Sequence, residues 1–286
     1  MRDVYRGANF VCELLAMSSS RPAQLTFSLE ILASHSDSAG SSHDGWGAAY
    51  YEGNDVALFR EPSAAYDSPL VRFLETNGPC ASLVISHIRH ATHGPVALEN
   101  RQPFVREVAG RTHVFAHNGD LPGIEQESRL AFGRYRPVGT TDSEHAFCAL
   151  LERIARLWDA AASPPPVTER LRAISDFAAD LRSLGPANFL YADGDVLFAH
   201  GHRRIQRATG SITPPGLWLL SRRCAMADDP VRASGVSIAP GFQELVLVAS
   251  VPLSEEHWRP LGEGELVALA AGQVLDAATA ADSSVT

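Results

Sequence analysis

The chain has few cysteines and no long apolar run, and each shortage excludes a class of protein. Its four cysteines are far apart and form no CxxC pair, so neither a disulfide framework nor a cysteine metal site is predicted. No stretch reaches the roughly 18 uninterrupted apolar residues of a membrane helix, and the first residues do not resemble a signal peptide. A cytoplasmic protein with reduced thiols is expected. We expect three of the cysteines to lie in the core, namely Cys80, Cys148 and Cys224.

Basic residues are also in short supply. The formal net charge of −9 argues against broad binding to nucleic acid or to anionic membranes, since both need a basic surface. The chain has 286 residues, of which 45% are hydrophobic, and this is enough for a substantial buried core. There are no internal repeats.

Strand patterns precede and follow a central pair of helices. Alternating or continuous apolar residues predict strands at residues 12–17, 46–52, 56–60, 81–88, 112–116, 188–192, 196–200, 217–221, 244–251 and 265–270. Helical spacing predicts helices at residues 25–33, 68–76, 141–158 and 167–184. This order favours layered sheets covered by helices over a repeated βαβ unit.

Four short polar blocks stand at predicted strand ends or helix starts, where functional sites often lie. They are His43-Asp44-Gly45-Trp46-Gly47, then His87-Ile88-Arg89-His90-Ala91-Thr92-His93-Gly94, then Ala116-His117-Asn118-Gly119-Asp120, and finally Gly139-Thr140-Thr141-Asp142-Ser143-Glu144. In the last block Thr141 and Glu144 fit the capping box of a helix N-terminus.

Together with Cys12, these blocks contain the parts needed for acyl transfer. A thiol nucleophile needs a base and donors for the oxyanion that forms on attack. Asn118 and the N–H of Gly119 can donate to one oxygen. Arg89 can bind a carboxylate with its fork of donors, and Asp142 can bind an ammonium group. Carboxylate and ammonium recognition together describe the α-carbon end of a free amino acid.

Each of these residues also has an ordinary structural explanation. Asn118-Gly119 can be a tight turn, Asp142 can serve only the helix dipole, Arg89 can form a salt bridge, and Cys12 can be a core residue. The histidines at 87, 90, 93 and 117 suggest a metal, but HxxHxx on a strand scatters the rings over both faces, so no metal is predicted. The co-occurrence of all these residues favours the functional interpretation.

The motifs and their order resemble those of class II glutamine amidotransferases, particularly the stand-alone bacterial members. The resemblance rests on Cys12-Glu13-Leu14-Leu15, the His-Asp-Gly-Trp-Gly block, Arg89-x-Ala91-Thr92-x-Gly94, His117-Asn118-Gly119 and Thr141-Asp142-Ser143-Glu144. Further pieces are Ala97-Leu98-Glu99-Asn100, Gln102-Pro103-Phe104 and Arg136-Pro137-Val138-Gly139. It covers almost the whole chain, from residue 12 to about residue 274.

The resemblance implies the N-terminal-nucleophile hydrolase fold, which is an α+β, four-layer αββα sandwich. It also implies the following roles: Cys12 as nucleophile, Asn118 and the Gly119 N–H as the oxyanion hole, Arg89 and Asp142 as ligands of the substrate α-carboxylate and α-ammonium, and Thr92 and His93 as pocket residues. The implied reaction is glutamine hydrolysis through a cysteinyl thioester, with the free α-amine of Cys12 carrying the proton and no metal or organic cofactor.

Three functions remain open at this stage. The first is a glutaminase-type amidotransferase that feeds ammonia to a separate synthase subunit. The second is a hydrolase of another γ-glutamyl amide or peptide, and the third is a non-catalytic glutamine-binding protein. The expected ligand is glutamine or a γ-glutamyl amide, without nucleic acid or membrane partners.

One feature departs from the family pattern, because eleven residues precede Cys12. An acylated Cys12 nitrogen would have no basicity. We therefore expect translation to start at position 11, where a GTG codon would be read as Met, or proteolysis to remove residues 1–11. The predicted division is an extension at 1–11, an amidotransferase domain at 12–276 and a flexible tail at 277–286.

Overall fold

The computed structural model describes residues 12–27, 45–89, 97–161, 163–224, 231–233, 236–238 and 243–279. Its strands are β1 (Glu13–Phe27), β2 (Trp46–Glu52), β3 (Asp55–Glu61), β4 (Cys80–Ile88), β5 (Phe104–Val108), β6 (Arg111–Gly119), β7 (Ala187–Ala192), β8 (Leu197–His200), β9 (Arg204–Ile205), β10 (Ile212–Thr213), β11 (Trp218–Cys224), β12 (Val231–Ala233), β13 (Val236–Ile238), β14 (Gln243–Ala249), β15 (Arg259–Pro260), β16 (Leu266–Ala270) and β17 (Gln273–Ala278). Its α-helices are α1 (Pro69–Asn77), α2 (Asp142–Asp159) and α3 (Val167–Arg182).

Two antiparallel sheets contain most of these strands. The first has the order β15-β11-β14-β1-β4-β2-β3, and β13 pairs with the second half of β1. The second has the order β17-β16-β8-β7-β6-β5. β1 lies inside the first sheet between β14 and β4, so its first residues are surrounded by protein.

Alternation along the strands divides the interior into three apolar layers. On β1, Leu14 and Ala16 face the second sheet, whereas Leu15 and Met17 face the other side. Val71 and Leu74 of α1 pack on that other side. The far face of the second sheet is covered by apolar side chains of α2 and α3, among them Phe147, Leu150, Leu151, Ile154, Ile174 and Phe177. The order of layers is helix, sheet, sheet, helix, which confirms the predicted α+β, αββα sandwich.

Several local predictions are confirmed. The two predicted hairpins are β2–β3 and β7–β8. Ser68 caps α1 by accepting a hydrogen bond from the Val71 N–H at 3.1 Å, with Pro69 in the first turn. No helix among the described residues is long and apolar enough to cross a membrane.

The prediction of a helix at residues 25–33 is wrong for its first three residues. Leu25, Thr26 and Phe27 are the end of β1 and pair with β13, and the rest of that range lies outside the described residues. A short apolar run fits both helical and extended periods, and the partner strand is more than 200 residues away in the chain. β1 is also longer than the predicted 12–17 strand, with a shift of its register to β4 between Ser18 and Ala23.

Three smaller expectations also need correction. Cys80 is exposed, whereas Cys148 and Cys224 are buried, because Cys80 is the first residue of β4. β17 continues through Ala278, so residues 277 and 278 of the predicted flexible tail are paired with β16. The capping box is only half formed, since Glu144 turns away from the backbone of Thr141 and pairs with Arg106.

Candidate active site

A cavity of about 280 Å³ opens where β1 begins, β4 and β6 end, and α2 begins. The residues that line it are Cys12, His87, Arg89, Asn100, Gln102, His117, Gly119, Asp120, Leu121, Pro122, Gly123, Glu125, Thr140, Thr141, Asp142 and Ser143. Glu13 pairs with Ile88 in the antiparallel register. Cys12 and Arg89 are therefore the next residues on two adjacent strands, and the strand pairing itself brings them together.

The start of β1 is fixed by a buried ion pair. Glu13 accepts hydrogen bonds from Arg204 at 3.0 Å and Arg207 at 3.2 Å, and both Glu13 and Arg204 are buried. Arg204 also donates to the main-chain carbonyl of Ser250. The Ser250 hydroxyl in turn accepts the Leu14 N–H at 2.9 Å. These contacts immobilise the two residues that follow Cys12.

The end of β6 brings Asn118 and Gly119 to the same point. The side-chain amide of Asn118 donates to the main-chain carbonyl of Cys12, and Asn118 is not among the residues that line the cavity. Gly119 does line it. A Cβ at Gly119 would lie 1.8 Å from the carbonyl oxygen of Pro186, so only glycine fits there. The close approach of the Pro186 carbonyl, and not an unusual backbone φ, explains why this position is glycine.

Asp142 is the first residue of α2, and its carboxylate faces main-chain donors. One oxygen accepts the Leu121 N–H at 2.8 Å and the other accepts the Ser143 N–H at 2.7 Å. Thr141 caps the helix by accepting the Glu144 N–H at 3.2 Å. The start of a helix favours a negative charge, and these hydrogen bonds fix the Asp142 side chain at the cavity wall.

Two further wall residues are held by side-chain amides. The Gln102 amide pairs with both the N–H and the C=O of His117, at 2.5 and 3.1 Å. Asn100 accepts the Thr140 N–H at 2.9 Å. The His117 ring lies 2.9 Å from the Ser143 hydroxyl, and burial lowers the pKa of His117 although the nearby Asp142 carboxylate partly offsets this effect. His117 is therefore neutral at pH 7.

The structure brings most of the sequence-predicted site residues together. Cys12, Arg89, Gly119 and Asp142 line one cavity, and Asn118 contacts Cys12. Thr92 and His93 lie outside the described residues. Within the described ranges, no group of three or more His, Cys, Asp or Glu residues could hold a metal ion.

Sequence reasoning gave no site role to several wall residues, namely His87, Asn100, Gln102, Asp120, Leu121, Glu125 and Thr140. His87, Asp120 and Thr140 stand inside the polar blocks, and Asn100 and Gln102 belong to the further pieces of the family resemblance, so their position in the sequence was an available signal. Glu125 and the Leu121–Gly123 turn belong to no polar block and were not detectable in this way.

Comparison with known proteins agrees with this geometry. The family model of class II glutamine amidotransferases matches residues 11–285. YafJ of Escherichia coli strain K12 is 33% identical over 256 residues, which are 89% of this chain and 96% of YafJ. The uncharacterized protein MJ1515 of Methanocaldococcus jannaschii is 28% identical over 270 residues, which are 93% of this chain and 71% of MJ1515.

Solved structures extend the comparison to the fold. A predicted glutamine amidotransferase from Pseudomonas aeruginosa PA01 superposes with a TM-score of 0.67 at 30% identity, covering 93% of this chain and all of that one. Glutamine phosphoribosylpyrophosphate amidotransferase from B. subtilis superposes with a TM-score of 0.55 at 15% identity, over 94% of this chain and 49% of that enzyme. The latter likeness concerns the fold alone.

Two facing antiparallel sheets between helices, with a cysteine at the head of a central strand, define the N-terminal-nucleophile hydrolase fold. Within that fold, the match over residues 11–285 is decisive for the family. The chain belongs to the class II glutamine amidotransferases.

Proposed function

We propose that this protein hydrolyses the side-chain amide of glutamine through a thioester on Cys12. The Cys12 sulfur attacks the amide carbon of the substrate, and the resulting oxyanion accepts hydrogen bonds from the Asn118 amide and the Gly119 N–H. The C–N bond then breaks and ammonia leaves with the proton taken from the thiol. Water attacks the γ-glutamyl thioester, which releases glutamate and restores the thiol.

The observation that carries this proposal is the arrangement of the cavity. Its wall contains Cys12, Arg89 and Asp142, which stand at the start of β1, the end of β4 and the start of α2. Arg89 is suited to the α-carboxylate of an amino acid and Asp142 to its α-ammonium. In the proposed pose, Arg89 and Asp142 hold the α-carbon end of the substrate. The side-chain amide of the substrate then lies next to Cys12 and Gly119.

The Asn118 amide has two hydrogens. One is engaged by the Cys12 carbonyl, so the other is the candidate oxyanion donor. The hydrogen bond to the Cys12 carbonyl keeps the Asn118 amide beside the proposed nucleophile. An oxyanion donor has to lie there.

The general base in the proposal is the α-amine of Cys12, as in enzymes with an N-terminal nucleophile. This requires that residues 1–11 are absent from the active protein. The proposal therefore includes a catalytic domain that begins at Cys12, and a reducing, cytoplasmic setting that suits cysteines without disulfide bonds. The roles of Thr92 and His93 as pocket residues remain predictions.

The first test is glutamate release by protein produced to begin at Cys12, offered glutamine and then a panel of γ-glutamyl amides. Turnover of glutamine with release of one ammonia per glutamate supports the proposal and the search for an ammonia-using synthase. Slow glutamine turnover with fast cleavage of a larger amide would identify a γ-glutamyl hydrolase instead. No turnover of any substrate, with Cys12 exposed, would contradict the proposal and favour a binding protein.

A further inference from the structure

Asn188 lies on β7 directly opposite Asn118 of β6, and its side chain is fully buried. Its amide makes three hydrogen bonds. It donates to the Asn118 carbonyl at 3.2 Å and the Arg203 carbonyl at 2.7 Å, and it accepts the His202 N–H at 2.8 Å. Both donor hydrogens of the amide are therefore used. None of these bonds involves a group that the proposed reaction touches directly.

We propose that Asn188 is a positioning residue that aims the Gly119 N–H at the reacting oxygen. The inference rests on the proposed function, because it concerns the oxyanion hole of that reaction. Its effect is transmitted through a single peptide group, the one that joins Asn118 to Gly119.

The geometry of that peptide carries the inference. A trans peptide is planar, and its C=O and N–H point in opposite directions. The C=O of Asn118 points toward β7, where Asn188 holds it. The N–H of Gly119 belongs to the same plane and therefore points away from β7.

The other side of β6 is the cavity side. β5 pairs with β6 only as far as Phe104 opposite Phe115. Beyond that point the Gln102 amide, which lines the cavity, takes the place of the strand by bonding both main-chain groups of His117. Since successive residues of a strand direct their main-chain groups to alternate sides, Gly119 directs its N–H to the same side as His117. That side is where Gln102 and the cavity lie.

Asn188 is itself held without freedom to rotate. Its oxygen and nitrogen are fixed by the main chain of residues 202 and 203. Gly216 packs against it so closely that a Cβ there would lie 1.6 Å from the Asn188 side-chain oxygen. Two different substitutions can therefore disturb the same hydrogen bond: Asn188→Ala removes the amide, and Gly216→Ala displaces it.

The test uses protein that begins at Cys12. For both variants we expect kcat for glutamine hydrolysis to fall about tenfold to a hundredfold, which is less than the roughly 10²–10³ lost when an oxyanion donor is deleted outright. KM should change little, because Arg89 and Asp142 lie on other elements. Alkylation of Cys12 by iodoacetamide should keep its rate, since displacement at a saturated carbon builds no oxyanion.

Tyr191→Phe is the matched control for loss of a buried polar contact on β7. It removes a hydroxyl bonded to His113 at 2.6 Å, in the layer under the helices, and it should lower stability without lowering kcat. The positioning role is overturned if Asn188→Ala keeps kcat within about twofold of the parent. It is also overturned if alkylation falls in parallel with kcat, because that result indicates general collapse of the site.

A readout that does not need turnover separates this inference from the proposed function. In crystal structures of the parent and Asn188→Ala proteins, the Asn118–Gly119 peptide should rotate or become heterogeneous in the variant. An unchanged peptide would overturn the positioning role. Absence of glutamine turnover in the parent, with the peptide rotated in the variant, would contradict only the proposed reaction.

Discussion

Two buried arginine–carboxylate pairs lie at opposite ends of the sandwich and make a natural comparison. At the cavity end Glu13 pairs with Arg204 at 3.0 Å, and at the far end Asp193 pairs with Arg170 at 2.8 Å. All four side chains are buried. The two pairs have nearly the same chemistry, and they differ in what they are attached to.

The far pair joins a helix to a hairpin turn. Arg170 lies on α3, and Asp193 follows β7 and accepts the main-chain N–H groups of Asp195 and Val196 at 3.1 and 3.0 Å. The cavity pair instead holds the residue next to the proposed nucleophile. The same kind of buried pair therefore secures the fold at one end of the sandwich and the chain beside the proposed nucleophile at the other. We expect substitutions at the far end to change stability alone, and substitutions at the cavity end to change activity as well.

The largest expected effect comes from replacing the proposed nucleophile. Cys12→Ala should abolish glutamine turnover, by on the order of 10⁶ if the loss resembles that of other nucleophiles, with little change in stability because no buried volume beyond one sulfur is lost. Steady-state assays of protein beginning at residue 12, together with thermal melts, check this prediction. Cys80→Ala is the control, since Cys80 is an exposed thiol at the far end of β4. Retained turnover in Cys12→Ala would break the assignment of the cavity end as the active end.

The two ion pairs provide the second prediction. Arg170→Leu and Glu13→Gln each leave one buried charge without its principal partner, and we expect each to lower the free energy of unfolding by about 3–5 kcal/mol. Urea unfolding measures this loss. The kcat of the folded fraction should stay at the parent value in Arg170→Leu and fall in Glu13→Gln. Glu13 directly follows Cys12 in the chain, and its ion pair with Arg204 holds that segment in place. Equal losses of kcat in both variants would show that the two ends are not functionally distinct.

A third prediction concerns pH at the far end. Burial lowers the pKa of His113 from 6.5 to about 3, so the folded protein keeps this ring neutral while the unfolded chain protonates it. Below pH 6.5 the unfolded state therefore binds more protons, and stability falls as the pH is lowered toward 3. His113→Gln should reduce this slope by at most about 1.4 kcal/mol per pH unit.

Urea unfolding between pH 7 and pH 4 measures the slope. Gln has no titrating ring and can still bond the Tyr191 hydroxyl, which contacts His113 in the parent. Identical slopes in parent and variant would contradict the assignment of a neutral, buried ring. Turnover at pH 7 should be unaffected, in keeping with the separation of the two ends.

Local signals in the sequence predicted much of the fold. The turn Gly53-Asn54-Asp55 marks a hairpin, and Thr141 marks a helix start, because both depend on residues within a few positions of each other. The candidate site residues in the polar blocks were also predictable from their near neighbours, because each block stands at the end of a strand or the start of a helix. The extension of β1 to Phe27 was missed because it depends on pairing with Val236, and a short apolar run does not distinguish strand from helix.

The residues that hold the start of β1 in place could not be predicted from the sequence, because they also lie far away along the chain. Arg204 reaches Glu13 across 191 positions and Ser250 reaches Leu14 across 236. A lone arginine or serine in a polar stretch has many structural explanations, and only the folded chain selects one. Sequence patterns therefore identify the proposed reacting groups more easily than they identify the groups that hold those in place.

The smallest expected effect compares two helix caps with the same chemistry. Thr141 accepts the Glu144 N–H at the start of α2, and Ser68 accepts the Val71 N–H at the start of α1. Replacing either residue by Ala should lower the free energy of unfolding by about 1 kcal/mol. Only Thr141→Ala should also raise KM for glutamine, because Thr141 lines the cavity beside Asp142 and a frayed first turn would displace the proposed ammonium ligand. Matched melts and KM measurements on the two variants decide the point. A rise in KM for Ser68→Ala of the same size would mean that general loosening, rather than the cavity end, controls substrate binding.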